Sequence, residues 1–154
     1  MKKNTRPSWD EYFMQLADVV KHRADCLRLN VGAVIVKDNR ILATGYNGTP
    51  HGIKNCTEGG CERCSKREEG AIGPGEEKGS CVCLHAEQNA IIQSAYQGSS
   101  TKEATLYSTY APCSQCAKMI INAGIVRVVC GRAHDDHYGN ELLRAAAISV
   151  EVMA

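Results

Sequence analysis

Pro112-Cys113-Ser114-Gln115-Cys116-Ala117-Lys118-Met119-Ile120-Ile121-Asn122-Ala123-Gly124 runs directly into Ile125-Val126-Arg127-Val128-Val129-Cys130. The first run predicts a helix, opened by Pro112 in the first-turn position and stopped by Gly124. The second is short, apolar and β-branched, as a buried strand requires. On either side, Thr105 to Thr109 predicts a strand, Asn140 to Ala147 a short helix and Ile148 to Val152 a last strand. Strands alternating with helices in this way need right-handed crossovers and give a partly parallel sheet. Upstream, Val31 to Val36 and Ile41 to Tyr46 flank the polar Lys37-Asp38-Asn39-Arg40 and predict a hairpin. Gly45-Tyr46-Asn47-Gly48-Thr49-Pro50 closes it with turn residues. His85 to about Tyr96 predicts a helix whose apolar side includes Ala86, Ala90, Ile91 and Ala95. Ser8-Trp9-Asp10-Glu11 is a capping-box pattern and opens the first helix. There Trp9, Tyr12, Phe13, Leu16 and Val19 or Val20 recur at helical spacing and predict a core stripe.

A length of 154 residues suits one domain with a real core, and 44% hydrophobic residues argue against disorder. Eighteen basic and seventeen acidic residues leave a net charge of +1, which excludes a strongly basic nucleic-acid binder. No apolar run approaches the roughly 18 residues of a membrane span. The basic start Met1-Lys2-Lys3-Asn4-Thr5-Arg6-Pro7 is followed by no apolar stretch, so a secretory signal is not expected and a cytoplasmic location is. The nine cysteines are spaced as Cys61-x2-Cys64, Cys81-x-Cys83 and Cys113-x2-Cys116, which favours metal ligation over disulfides. Residues 51–83 carry five of them, are rich in Gly and Glu, and show no period. A structureless loop of about 30 residues is improbable inside a compact domain, so a metal cross-link is the expected explanation. The expected organisation is one domain over residues 1–154 with a Cys-rich insert at about 51–83.

The chemistry concentrates in His85-Ala86-Glu87, followed 25 residues beyond Glu87 by Pro112-Cys113-Ser114-Gln115-Cys116. Cys113 and Cys116 are three apart at a helix start, which puts both sulfurs on one face. The positive helix end there favours thiolates. With His85 they make three zinc ligands, leaving a fourth position for water, as catalytic zinc requires. Zinc makes hydroxide available near neutral pH, and Glu87, two residues from His85, can shuttle the proton without being a ligand. The spacing matches the general signature of zinc-dependent nucleobase deaminases, in which the attack falls on C4 of cytosine or C6 of adenine. A purely structural zinc beside an incidental Glu is the alternative.

Beyond that motif, Val31-Gly32-Ala33-Val34-Ile35-Val36, Thr44-Gly45-Tyr46-Asn47-Gly48-Thr49-Pro50, His85-Ala86-Glu87-Gln88-Asn89-Ala90 and Pro112-Cys113-Ser114-Gln115-Cys116 together resemble the deoxycytidylate deaminases. Ser8-Trp9-Asp10-Glu11-Tyr12-Phe13-Met14 resembles that family's opening helix, and the likeness spans roughly residues 8 to 152. The resemblance implies an α/β fold: a three-layer α/β/α arrangement around a central mixed sheet of about five strands. It implies hydrolysis of dCMP to dUMP and ammonia, supplying dUMP for thymidylate synthesis. Deamination of another base, such as tRNA adenosine or guanine, and a catalytically inactive nucleotide-binding zinc protein are the competing readings. Asn47 would contact the deoxyribose, and backbone around Ala86 and Ala111 the pyrimidine edge. Arg28 is the candidate for the 5′-phosphate, with Lys54 also within the early loop. His134 stands where relatives carry an aromatic near the base.

The same resemblance implies a second, non-catalytic zinc with ligands at or near Cys26, Cys56 and Cys83 and a fourth from Cys61, Cys64 or Cys81. That makes two zinc ions per chain, with reduced free thiols and a redox switch as alternatives for the insert. Cys130 reads as buried packing. Many relatives are homo-oligomers, hexamers among them and dimers as the other expectation. They are activated by dCTP, with Mg2+ as its companion ion, and inhibited by dTTP. At Gln93 and Tyr96 the chain departs from the phage-type pattern for that regulation. No nucleic-acid or membrane partner is implied.

Overall fold

The computed structural model describes residues 5–134 and 137–153; Met1 to Asn4 of the basic start lie outside the described residues. Helix α1 spans Trp9–Lys21. It begins with the expected capping box: Glu11 N–H donates to Ser8 Oγ at 3.2 Å and Ser8 N–H to Glu11 Oε2 at 2.7 Å. Strands β1 (Gly32–Lys37) and β2 (Arg40–Tyr46) follow as an antiparallel hairpin. Asp38 and Asn39 form its two-residue turn with φ of 51° and 57°, the left-handed backbone that favours such residues. Helix α2 (Glu62–Glu68) lies in the insert. Then come α3 (Ala86–Gln97), β3 (Thr105–Ser108), α4 (Ser114–Asn122), β4 (Arg127–Cys130), α5 (Tyr138–Ala145) and β5 (Ser149–Val152).

The five strands form one mixed sheet in the order β2-β1-β3-β4-β5. β1 is antiparallel to β2 and β3, while β3, β4 and β5 run parallel. Strand alternation divides two cores. Ala33, Ile35, Leu106 and Val128 face Ala86, Ala90, Ala117, Ile120 and Leu143 from α3, α4 and α5. Val34, Val36, Tyr107 and Val129 face Phe13, Met14 and Ala17 from α1. Helices therefore cover both faces, as the resemblance implies. No helix among the described residues is long and apolar enough to cross a membrane.

Several local expectations are corrected. Trp9, Tyr12 and Val19 are exposed, because α1 rests on the sheet along the narrower line of Phe13, Met14 and Ala17. Trp9 instead stacks on Phe13 from outside, ring centroids 5.7 Å apart. Ala95 is also exposed. Pro112 precedes the N-cap, Cys113, instead of opening α4. α2 was not expected.

Two contacts fix the layers. Gly45 of β2 lies under α3, where a Cβ would stand 2.2 Å from Ala86 O and 2.4 Å from Ala90 N. Asp10 of α1 takes a bidentate contact from Arg127 of β4 (2.8 and 2.6 Å) and a hydrogen bond from Tyr107 Oη at 2.7 Å. Glu151 of β5 closes the network on Arg127 Nη2 at 2.7 Å.

Gly45→Ala is expected to cost about 1–3 kcal/mol or more, since backbone must give way to the new methyl; an unchanged denaturation midpoint would refute the close approach. The Arg127 hydrogen bonds hold the Asp10 carboxyl below its ordinary range. The folded value lies below the unfolded one, so this contribution is present above about pH 3.9 and is lost as pH falls through the folded value. Asp10→Asn is expected to lower stability by about 1–2 kcal/mol at pH 7, between the exposed-pair and buried-pair ranges. The deficit should shrink in acid, and one that stays constant down to about pH 2 would show that ionisation is not its source.

Candidate active site

The parallel strand order places the start of α4 beyond the C-terminal end of β3, and α3 begins beside it. The approach to α3 is pinned by an isolated bridge in which Gly48 N–H donates to Leu84 O (3.2 Å) and Leu84 N–H to Gly48 O (2.8 Å). Asn89 of α3 donates to Tyr46 O at 2.8 Å. His85 is the N-cap of α3, its own N–H held by Gln88 Oε1 at 2.8 Å. From there its Nδ1 faces two sulfurs, Cys116 Sγ at 3.2 Å and Cys113 Sγ at 3.4 Å.

The donor atoms of His85, Cys113 and Cys116 all lie within 4.8 Å of one another. In a tetrahedral zinc site the N···S edge is about 3.6 Å, given bond lengths near 2.0 and 2.3 Å. The observed spacings therefore fit zinc. Electrostatics agree. Hydrogen bonding from Cys116, then from His85, brings the Cys113 thiol down to about 3. Cys116 is pushed up by its hydrogen bond with Cys113 and by burial. Two thiols that cannot both ionise alone can do so on a shared cation. The Cys113 interaction in turn raises His85.

Glu87, the second residue of α3, is buried at 4% exposure. Burial pushes its carboxyl up. Its Oε1 accepts from Ser108 Oγ at 3.1 Å, and its Oε2 lies 3.7 Å from Cys116 Sγ. The carboxylate thus stands beside the three-donor set with one oxygen anchored. Ser108, the last residue of β3, is a candidate site residue that sequence reasoning missed. A lone Ser at a strand end carries no motif; its signal is only its position at the end of a strand of the parallel set.

The expected substrate contacts are placed unevenly. Ala86 is fully buried in the first turn of α3, where backbone N–H groups have no intrahelical acceptor. Asn47 is 9% exposed, and its carboxamide is engaged by backbone: it accepts from Val31 N–H at 2.8 Å and donates to Leu29 O at 2.6 Å. Ala111 N–H donates to Arg132 O at 2.8 Å, so a ligand contact there falls to the carbonyl. The His134 ring packs edge-on to Tyr110 at 5.3 Å, and Arg132 lies over the Tyr110 ring at 5.5 Å. Arg28 is exposed and lines a cleft of about 250 Å³ with Leu27, Leu29, Arg67 and Glu68, a lining that contains none of His85, Glu87, Cys113 and Cys116. Gln93 Oε1 accepts from Thr44 N–H at 2.6 Å and so braces β2. Cys130 is fully buried, as expected.

A His and two Cys brought to two helix starts, with a buried carboxylate beside them, is the arrangement by which zinc-dependent nucleobase deaminases are recognised. A family model described as the cytidine and deoxycytidylate deaminase zinc-binding region matches residues 7–132. Deoxycytidylate deaminase of Mycobacterium phage D29 is 44% identical over 130 residues, 81% of this chain and 95% of that protein. The Schizosaccharomyces pombe enzyme of the same name is 42% identical over 146 residues, 94% of this chain; the chain spans 44% of that relative's length. The crystal structure of dCMP deaminase from cyanophage S-TIM5 in complex with dCMP and dUMP superposes with a TM-score of 0.79 at 34% identity, covering 97% of this chain and 100% of that one. The chain belongs to the cytidine and deoxycytidylate deaminase family. Zinc is the metal the family and the donor set share.

His85→Ala and Cys113→Ser are each expected to lower the metal content by one zinc per chain relative to the wild type. Elemental analysis of the purified variants checks this; an unchanged content would remove the residue from the ligand set.

Proposed function

We propose that this protein hydrolyses dCMP to dUMP and ammonia, supplying dUMP for thymidylate synthesis. The observation that carries the reading is the buried Glu87, anchored by Ser108 beside the His85, Cys113 and Cys116 donors. The relatives add the substrate: phage D29 and yeast proteins named deoxycytidylate deaminase, and a superposable enzyme crystallised with dCMP and dUMP.

His85, Cys113 and Cys116 would hold the zinc. When bound, the ion supplies a Lewis acid that makes hydroxide available near neutral pH. Glu87 takes the proton released by the attacking water. It delivers that proton to N3 of the cytosine ring, takes the second proton from the hydroxyl newly bonded to C4, and passes it to the departing amino group. Water and dCMP are consumed, dUMP and ammonia are formed, and Glu87 returns to its starting state. Ser108 holds Oε1, so the carboxylate need not reorient between transfers. Ala86 N–H and Ala111 C=O are the backbone groups on offer to the pyrimidine edge. Asn47 keeps one N–H and one lone pair for the sugar beyond its two backbone contacts. Arg28 remains the phosphate candidate, its cleft shared with Arg67, and His134 with Tyr110 the aromatic wall.

The finer reading follows the resemblance: a homo-oligomer, activated by dCTP with Mg2+ and inhibited by dTTP. Trp9 and Tyr12 on α1, and Ile92 and Tyr96 on α3, are exposed apolar residues that subunit contacts would cover.

The test is ammonia release from dCMP, deoxycytidine, guanine and a tRNA anticodon stem, with dCTP and dTTP added to the dCMP arm. Activity confined to the other substrates would overturn the reading. Glu87→Gln should retain zinc and lose about 10²–10⁴-fold in kcat. Ser108→Ala should lose about tenfold in kcat with little change in KM, the loss of one hydrogen bond to a charged group. Near wild-type turnover in Glu87→Gln would remove it from proton transfer.

A further inference from the structure

The insert concentrates its sulfur more completely than one ion needs. Cys26, Cys56, Cys64 and Cys83 form a group of four sulfurs all within 4.8 Å of one another, and Cys61, Cys64, Cys81 and Cys83 form a second. The two quartets share Cys64 and Cys83, yet the six sulfurs do not form one mutually close set. Cys61 Sγ and Cys81 Sγ stand 3.8 Å apart. That separation equals the S···S edge of a zinc tetrathiolate, about 3.8 Å for bonds near 2.3 Å. One tetrahedral ion would fill either quartet and leave two further thiols against its edge. Two tetrahedra sharing an edge use all six.

We propose that the insert holds two zinc ions in a dinuclear thiolate cluster, bridged by the sulfurs of Cys64 and Cys83. Cys26 and Cys56 complete one tetrahedron, and Cys61 and Cys81 the other. A thiolate has lone pairs enough to bind two cations. Six thiols release six protons to two divalent ions, and the cluster carries a net charge of −2. With the His85 site the chain binds three zinc ions, one more than the sequence leads one to expect.

Burial supports a loaded cluster. Among residues 51–83 the buried ones are Cys56, Cys61, Arg63 and Cys64, so sulfur is nearly the whole core of the insert. Arg63, which lies between Cys61 and Cys64 in the sequence, is 1% exposed. Its Nε donates to Glu76 O at 2.9 Å, and its Nη2 has no hydrogen-bond partner among the described residues. A buried guanidinium without a carboxylate partner requires negative charge nearby. Metal-bound thiolates supply it, and neutral thiols do not. The charge argues that the insert is metal-loaded; the shared pair of sulfurs argues that it holds two ions.

The test uses the full chain, purified reduced and zinc-replete, and does not depend on turnover of dCMP. Elemental analysis is expected to give three zinc per chain. After exchange with ¹¹³Cd, two resonances of sulfur-ligated cadmium should show mutual scalar coupling through the bridging sulfurs, beside one uncoupled resonance from the His85 site. Cys64→Ser should lose both insert ions, three falling to one, and Cys61→Ser one. Two zinc or fewer in the wild type, three with uncoupled cadmium signals, or equal loss in the two variants would overturn the proposal. Where either variant fails to fold, the wild-type count and the cadmium coupling decide.

Discussion

The candidate active site depends on two helix starts meeting at one end of the sheet. His85 caps α3 and Cys113 caps α4, so three donors from distant parts of the chain converge through the ends of regular elements. Helix N-termini favour the ionised sulfurs that a cation requires. Their meeting has two geometric conditions. One is the parallel pairing of β3 with β4, which makes α4 a crossover starting past Ser108. The other is the backbone approach of α3 to β2 at Gly45. A side chain at Gly45 would lift α3 and carry His85 and Glu87 with it. A glycine buried in the edge strand β2 is thus tied to chemistry it never touches.

The same arrangement separates the roles of neighbouring residues on α3. His85 sits outside the helix and is exposed enough to reach the sulfurs. Glu87, two residues on, turns into the sheet and meets Ser108. A carboxylate at ligand position would fill the coordination sphere; one displaced by two residues and anchored by a hydroxyl remains free to move protons. The division follows from the cap: His85 keeps extended backbone while Glu87 is already helical.

Much of this was legible because it rests on local rules. The capping box at Ser8, the two-residue turn at Asp38-Asn39 and the metal motif each declare themselves within a few residues. What was hidden depends on partners far away. The stripe Trp9, Tyr12, Phe13, Leu16 and Val19 or Val20 has the spacing of a core, but the helix buries a narrower line at Phe13, with Leu16 and Val20 packed beside it and Trp9, Tyr12 and Val19 exposed, and sequence gives no width. α2 has almost no apolar side chains apart from Cys64, so no period betrays it. Ser108 and the backbone engagements of Asn47 and Ala111 require knowing which strand lies beside which. The six cysteines were visible as a set, whereas their division into two overlapping quartets is a three-dimensional fact.

That division changes how the insert bears on the site. Cys83 is two residues before His85, and Leu84 between them is clamped to Gly48 by two hydrogen bonds. Gly48 in turn follows Asn47, which holds Leu29 and Val31. The segment carrying Cys26 and Arg28, the turn after β2 and the start of α3 are therefore joined by short backbone links and by sulfur. An insert with almost no apolar core could not brace the start of α3 by packing, since burial would contribute too little to offset the entropy of ordering it. Metal–thiolate bonds can, because their free energy becomes folding free energy. On the proposed metal loading, the cysteine-rich segment would clamp the start of α3 from Cys83, two residues before His85.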